Sequence, residues 1–285
     1  MQPPFPCPTA TWHNDTYESI SPLRPELNAA GKTVIVVGAG SGIGRETALA
    51  FATAGAAHVA LLGRTESALK ETATYVSSAG KASCSVHTAD VTKAKSLQDA
   101  AAAVGKWHVL VLCAGYCPTP SSVSSSEINV WWEGFEINVK GTLLAAKAFL
   151  PTVDASNAAI LGLTSDVSLM PTAHLPGLSS YISSKLAQAK VYEFLAAENP
   201  DVFVATIAPG MVETANFYRS GATPDKLPMD KVQLPAHFLV WMASPEAAFL
   251  RGRCTWANWD VEELKAQRAK ISDGLFMTAG FKGLP

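Results

Sequence analysis

The stretch SSYISSKLA at 179–187 sets Tyr181 and Lys185 four residues apart, so a helix would stack phenol and ammonium on one face. A free tyrosine titrates at a pH of about 10, which makes it a poor proton donor or acceptor at neutrality. An ammonium beside it favours the phenolate and draws that pKa toward the working range, as general acid–base chemistry requires. With six tyrosines in the chain, such a pair also arises by accident on a helix face. Its surroundings must decide.

A second cluster stands far upstream. VGAGSGIG (37–44) joins a β-branched apolar run to a helical one. Glycines in such a turn let the backbone approach a pyrophosphate, and the N-terminus of the following helix stabilises its charge. Gly38 and Gly40 fit the first two positions of a GxGxxG spacing, but Ile43 holds the third; Gly38, Gly42 and Gly44 give GxxxGxG instead. With Ser41 and Ile43, these glycines are the expected floor of a dinucleotide site. An acidic residue about 20 positions on, at the end of the second strand, usually holds the adenosine ribose. Here LLGRT (61–65) offers Gly63 and then Arg64. No carboxylate would repel a phosphate there, and a guanidinium is suited to bind one, so NADP(H) is expected in preference to NAD(H).

The elements that must position these residues alternate. Runs at 33–38, 58–63, 83–90, 107–115, 158–165 and 202–210 read as strands, the first of them apolar and β-branched as a strand buried on both faces requires. Helical spacing follows at 42–55, 66–80, 95–105, 127–150 and 178–197, with Gly55 and Gly80 as stops. Regular β–α alternation specifies right-handed crossovers around a parallel sheet: a doubly wound, Rossmann-type α/β fold in three layers. A last strand is expected within 253–259, and helices at 237–244 and 261–270. Residues 1–30, rich in proline and without periodicity, read as an arm on the surface of one domain covering 31–285. The irregular segment 211–232, with Pro224 and Pro228, is long for a plain connection and is expected to serve function as a substrate loop, with a C-terminal helix and tail after 259.

Composition sets the outer limits. A net charge of -2 gives no case for binding nucleic acid or an anionic membrane. No secretory signal and no bilayer-length apolar run is seen, and five scattered cysteines suggest reduced thiols, so a soluble cytoplasmic protein is expected. The histidines and cysteines make no recognisable metal motif, and no metal is expected.

Taken in order, GAGSGIG, Asp90-Val91 after the third strand, CAG at 113–115, Asn138 in FEINVKG, Thr164-Ser165, YISSK and PGMVET at 209–214 resemble the classical short-chain dehydrogenase/reductase family over about 33–258. The arm and the ending RGRCTWANWDVEEL resemble those of fungal members. The resemblance implies a catalytic set of Asn138, a serine, Tyr181 and Lys185. It also implies cofactor contacts from Asp90, Val91, Ala114, Gly115, Pro209, Gly210, Val212 and Thr214, besides Tyr181 and Lys185. Lys185 would hold the nicotinamide ribose, and Asn138 would anchor a water relaying protons to it. The serine is either Ser165, at a strand end, or Ser168, at the commoner spacing to the tyrosine; the rigidity of a strand end favours Ser165. Ser183 and Ser184 read as helix-surface residues. Cys113 replaces an asparagine of the family's NAG triplet and Val37 a frequent threonine, both at points of structural support.

The expected activity is NADP(H)-dependent interconversion of a carbonyl and an alcohol on a small organic substrate. The same fold and cofactor also leave open a non-redox isomerisation or cyclisation, whereas a dinucleotide sensor would have no use for the intact catalytic set. Phe217 and Tyr218 are expected to offer apolar contact to substrate. Trp131, Trp132 and Met170 read equally as pocket lining or as packing. A homodimer or homotetramer built on 127–150 and 178–197 is what the resemblance implies.

Overall fold

The computed structural model describes residues 7–165 and 170–280. Seven parallel strands form one sheet in the order β3-β2-β1-β4-β5-β6-β7. They are β1 Thr33–Val37, β2 His58–Gly63, β3 Ser83–Thr88, β4 Val109–Leu112, β5 Ala158–Leu163, β6 Val202–Ala208 and β7 Cys254–Trp256. The order reverses between β1 and β4, which opens a crevice beyond their carboxyl ends. This is the doubly wound fold expected from the alternation.

The two-residue period of each strand sorts its side chains into two cores. Val34, Val36, Leu61, Val109 and Val111 face one layer, with Phe51 of α1 (Gly42–Thr53), Leu69 of α2 (Glu66–Ala79) and Phe238 and Trp241 of α8 (Gln233–Met242). Ile35, Val37, Leu62, Leu110 and Leu112 face the other. There they meet Leu97 of α3 (Ala94–Val104), Phe149 of α5 (Gly141–Phe149) and Tyr192 of α6 (Ser179–Glu198). Because both faces are covered, the inner strands read as continuous apolar runs, whereas β3 at the edge is half-buried and polar in sequence.

Several expectations need correction in detail. The stretch 127–150 is not one regular helix: α4 (Ile128–Phe135) runs into a π-helical turn over Glu136–Lys140, then α5. That wider turn carries Asn138, whose side chain is committed elsewhere, as described below. Segment 211–232 contains a short helix, α7 (Ala215–Arg219), and a 3-10 turn. Helix α8 begins earlier than expected, at Gln233, with Pro235 in its first turn, where its missing N–H has no helical partner to lose. The C-terminal helical stretch breaks into α9 (Val261–Ala266) and α10 (Arg268–Ser272).

The arm is built into the body. Trp12, Ile20 and Leu27 are buried in the first core. Trp12 bridges to Trp259 and meets the edge of Trp256 at 5.7 Å between ring centroids. Tyr17 stacks on His13 at 3.6 Å, and its hydroxyl donates to Trp259 O and accepts from Val261 N. Burial holds that hydroxyl protonated far above the ordinary tyrosine range, so it remains a neutral donor. Isolated aromatic anchors produce no periodicity, which is why the arm looked featureless.

Tyr17→Phe removes one oxygen and leaves Val261 N–H and Trp259 C=O without their partner. It should lower unfolding free energy by about 1–3 kcal/mol, read by urea denaturation of the apoprotein. An unchanged midpoint would mean that the arm is tied down by its aromatic packing alone.

Candidate active site

The crevice at the switch point is a cleft of about 870 Å³. Its floor is the β1–α1 turn. Gly38 adopts φ +91°, and a β-carbon there would lie 2.7 Å from Ala114 N; one at Gly44 would lie 2.2 Å from Gly38 O. Only bare backbone fits both places, so turn, helix α1 and β4 close up into a cradle fitted to a pyrophosphate. Gly40, Ser41, Gly42 and Ile43 line the same wall.

Arg64 lines the cleft after β2; against the opposing effect of partial burial, hydrogen bonds from Thr92 and then the Arg64 charge draw the Asp90 carboxyl below its usual range. Arg45, the other guanidinium near the turn, is spent on Glu71 at 2.8 Å and on Gly40 O. Val91, Ala114, Gly115, Pro209, Gly210, Val212 and Thr214 complete the lining. Every sequence-predicted cofactor residue therefore borders one cavity.

The candidate catalytic side chains lie at its centre. Ser165 is almost buried; the Thr164 N–H donates to Ile207 O at 2.8 Å, extending sheet pairing past β5 and fixing the strand end that presents it. Ser168 lies outside the described residues. Tyr181 and Lys185 come from the first two turns of α6 and both line the cleft. The Lys185 ammonium stands 5.9 Å from the centre of the Tyr181 ring. It donates to Leu163 O and to Gln188 Oε1, each at 2.9 Å. Among the described residues two of its three N–H bonds are thus taken, leaving the third for the cleft.

Asn138 does not touch the cleft. Fully buried behind it, its Oδ1 accepts from Tyr116 N at 2.8 Å while its Nδ2 donates to Tyr116 O and Ser184 Oγ. It therefore fixes the chain that follows β4. Ser184, expected on the helix surface, is wholly buried and belongs to this network; Ser183 is exposed as expected. Gln188 donates to Thr142 Oγ1, which donates to Asn138 O, so a continuous path of hydrogen bonds runs from Lys185 to Asn138.

Spacing gave no sign of Ser184, Gln188 or Thr142. Trp131 and Trp132 do not line the cleft: Trp131 Nε1 donates to Ser179 Oγ, tying α4 to α6, and Trp132 is 51% exposed. Met170 and Phe217 do line it, whereas Tyr218 turns outward to Glu213.

The loop 209–214 is held from outside by Asp230, which sequence reasoning also missed. Its Oδ2 accepts from Met211 N at 2.6 Å, and its Oδ1 from Asn14 of the arm and Asn258 beyond β7.

A family model described as short chain dehydrogenase matches residues 32–224. The chain belongs to the short-chain dehydrogenase/reductase family. A short chain dehydrogenase/reductase of Claviceps purpurea is 36% identical, covering 97% of this chain and 94% of its own. Another, AacuD of Aspergillus aculeatus, is 32% identical with 96% of each chain covered. The relatives are fungal, as the arm and the ending led one to expect. Among solved structures, carveol dehydrogenase of Mycobacterium avium in complex with NAD superposes with a TM-score of 0.73 at 21% identity, over 80% of this chain and 96% of its own. That likeness supports the fold.

Burial pushes the Lys185 ammonium down from 10.5 to about 8, only partly offset by the nearby Cys113 and Cys117. Below pH 8 both folded and unfolded chains hold this proton, and folding bears the full cost of burying the charge. Between about 8 and 10.5 the folded state releases it first, so its contribution to stability improves as pH rises. Apoprotein stability should gain roughly 3 kcal/mol across that window from this group. Subtracting the unfolding free energies of Lys185→Met, measured at the same pH values, should isolate that gain; a flat difference would refute the buried charge.

Proposed function

We propose that this short-chain dehydrogenase/reductase is an NADP(H)-dependent oxidoreductase interconverting a ketone or aldehyde and its alcohol. The observation that carries the reading is the convergence of Ser165, Tyr181 and Lys185 on the same cleft as the glycine cradle. The cradle fits a dinucleotide because its closest approaches exclude side chains, and Arg64, which lines the same cleft, would meet a 2′-phosphate. When bound, the nicotinamide supplies or accepts the hydride.

The chain's own residues handle the oxygen and its proton. In reduction, Tyr181 gives its hydroxyl proton to the carbonyl oxygen, and the resulting phenolate is stabilised by the Lys185 ammonium; oxidation reverses the transfer. Ser165 donates a hydrogen bond to the same oxygen from its fixed strand end. Lys185 uses its remaining N–H on the nicotinamide ribose, and Asn138 keeps the 115–117 segment in register behind the site. Pro209, Gly210, Val212 and Thr214 hold the nicotinamide side of the cleft, while α7 and the rest of 211–232 cover the substrate.

Among the described residues no helix is long and apolar enough to cross a membrane. We place the protein in the cytoplasm as a homo-oligomer. Trp132, Leu143, Leu186 and Phe194 of α4, α5 and α6 stand exposed on the faces that would meet a second copy. Light scattering at micromolar concentration should return a dimer or tetramer mass; a monomer would remove the assembly.

A screen of ketones and alcohols with both cofactors, followed by nicotinamide absorbance, tests the reading. Turnover should prefer NADPH, and Arg64→Asp should reverse the preference; turnover without net absorbance change would indicate isomerisation or cyclisation instead. Tyr181→Phe should cut kcat by about 10²- to 10⁴-fold or more while NADPH affinity stays within a few-fold. A variant keeping most of its redox activity would remove Tyr181 from the chemistry.

A further inference from the structure

The two ends of the cleft differ in charge. Among the described lining residues, Asp90 is the single carboxylate, and Arg64 acts on it from the same end. Lys185, in the middle, is engaged by Leu163 O and Gln188. At the far end the lining is largely apolar, with Met170, Leu175, Leu178, Phe217 and Leu227; its polar side chains include His174, Ser220 and one permanent cation, Arg219. Among the described residues Arg219 makes no ion pair, whereas Arg24 and Arg45 are paired with Glu246 and Glu71.

Arg219 is also held in place. Asn216, one turn earlier on α7, donates to Gly115 O at 3.0 Å and accepts from Cys117 N at 3.3 Å, which fastens α7 to the segment after β4. From there the Arg219 guanidinium stacks over the Tyr116 ring, 5.1 Å from its centre. The Tyr116 backbone is gripped in turn by Asn138. Tyr116 also bonds Glu133, which lies outside the cleft lining, so the ring is fixed at both ends. The charge of Arg219 reaches Cys117 as well as Tyr116, which places its field inside the substrate end.

Arg219 is solvent-exposed, so its charge stands hydrated at the rim of the cleft, and the stack on Tyr116 holds the guanidinium beside the apolar lining. Its planar fork matches a carboxylate, which it would hold bidentately at the mouth of the cleft. We propose that the substrate is a carbonyl compound, or the matching alcohol, with a carboxylate on an apolar body, and that Arg219 receives the carboxylate while the body rests on the apolar wall. This rests on the carbonyl–alcohol reading above. Tyr116 is a positioning residue for the guanidinium.

The test uses the purified enzyme with NADPH and pairs of aryl and alkyl ketones, each as free carboxylate and as methyl ester. In wild type the acid of a productive pair should exceed its ester in kcat/KM by about two- to fivefold, and its KM should rise with added salt. Arg219→Gln should lower the acid-to-ester ratio by about two- to fivefold, carried by KM, as loss of an exposed charge-assisted pair predicts. Arg219→Lys should keep part of the ratio. Acids and esters used equally by wild type, or a ratio untouched by Arg219→Gln, would overturn the anion site and leave the redox reading standing. A wild type that turns over no member of any pair, while NADPH still binds, would overturn both.

Discussion

The charge that the site depends on is the Lys185 ammonium, which folding removes from water without giving it a carboxylate. Desolvation on that scale is tolerated only where fixed dipoles replace the lost hydration. Here the replacements are a strand-end carbonyl, Leu163 O, and the amide of Gln188. Both are placed by larger constraints: Leu163 by its position in the sheet, Gln188 by its bond to Thr142 on α5. The π-helical turn follows from the same demand. It lets Asn138 bond Tyr116 and Ser184 while Thr142 bonds the Asn138 carbonyl, so α5 and α6 are locked together around the lysine. A neutral lysine would not need this network, and a solvated one would not hold its place above the tyrosine. The fixed place of the ammonium beside the tyrosine and the cost of burying it are therefore one feature.

How far the sequence disclosed this depends on the separation of the interacting residues. The glycine turn, Arg64 and the Tyr181–Lys185 pair were legible because their geometry is local: a turn between a strand and a helix, a strand end, two positions on one helical face. The parallel sheet was legible for a related reason, since each buried strand is a contiguous apolar run. Ser184 and Gln188 were not, although they lie on the same helix as the pair. The inward face of α6 is polar over its first turns, with Ser180, Ser184, Lys185 and Gln188 all buried, and polarity there looks like solvent exposure. The π turn was hidden too, because it adds no residue that breaks helical spacing. Its cause sits on another element.

The most distant omission is Asp230, and it shows how the chain ends enter the site. Its burial raises the carboxyl's pKa, and hydrogen bonds from Met211, Asn14 and Asn258 pull it back. Those donors come from the loop after β6, from the arm, and from the segment beyond β7. A buried carboxylate with three donors over-determines the loop it touches: shifting Met211 would uncover a charge rather than merely stretch a contact. The Asn258 amide also donates to His13 O, and His13 N–H donates to Asn258 O, so arm and C-terminal segment reach Asp230 already joined. The 209–214 backbone is thus set from the side opposite the cleft by residues more than two hundred positions apart in sequence. An arm without periodicity fits this role well: it must bring one amide and a few aromatic rings to fixed places, and a regular element would carry them no better.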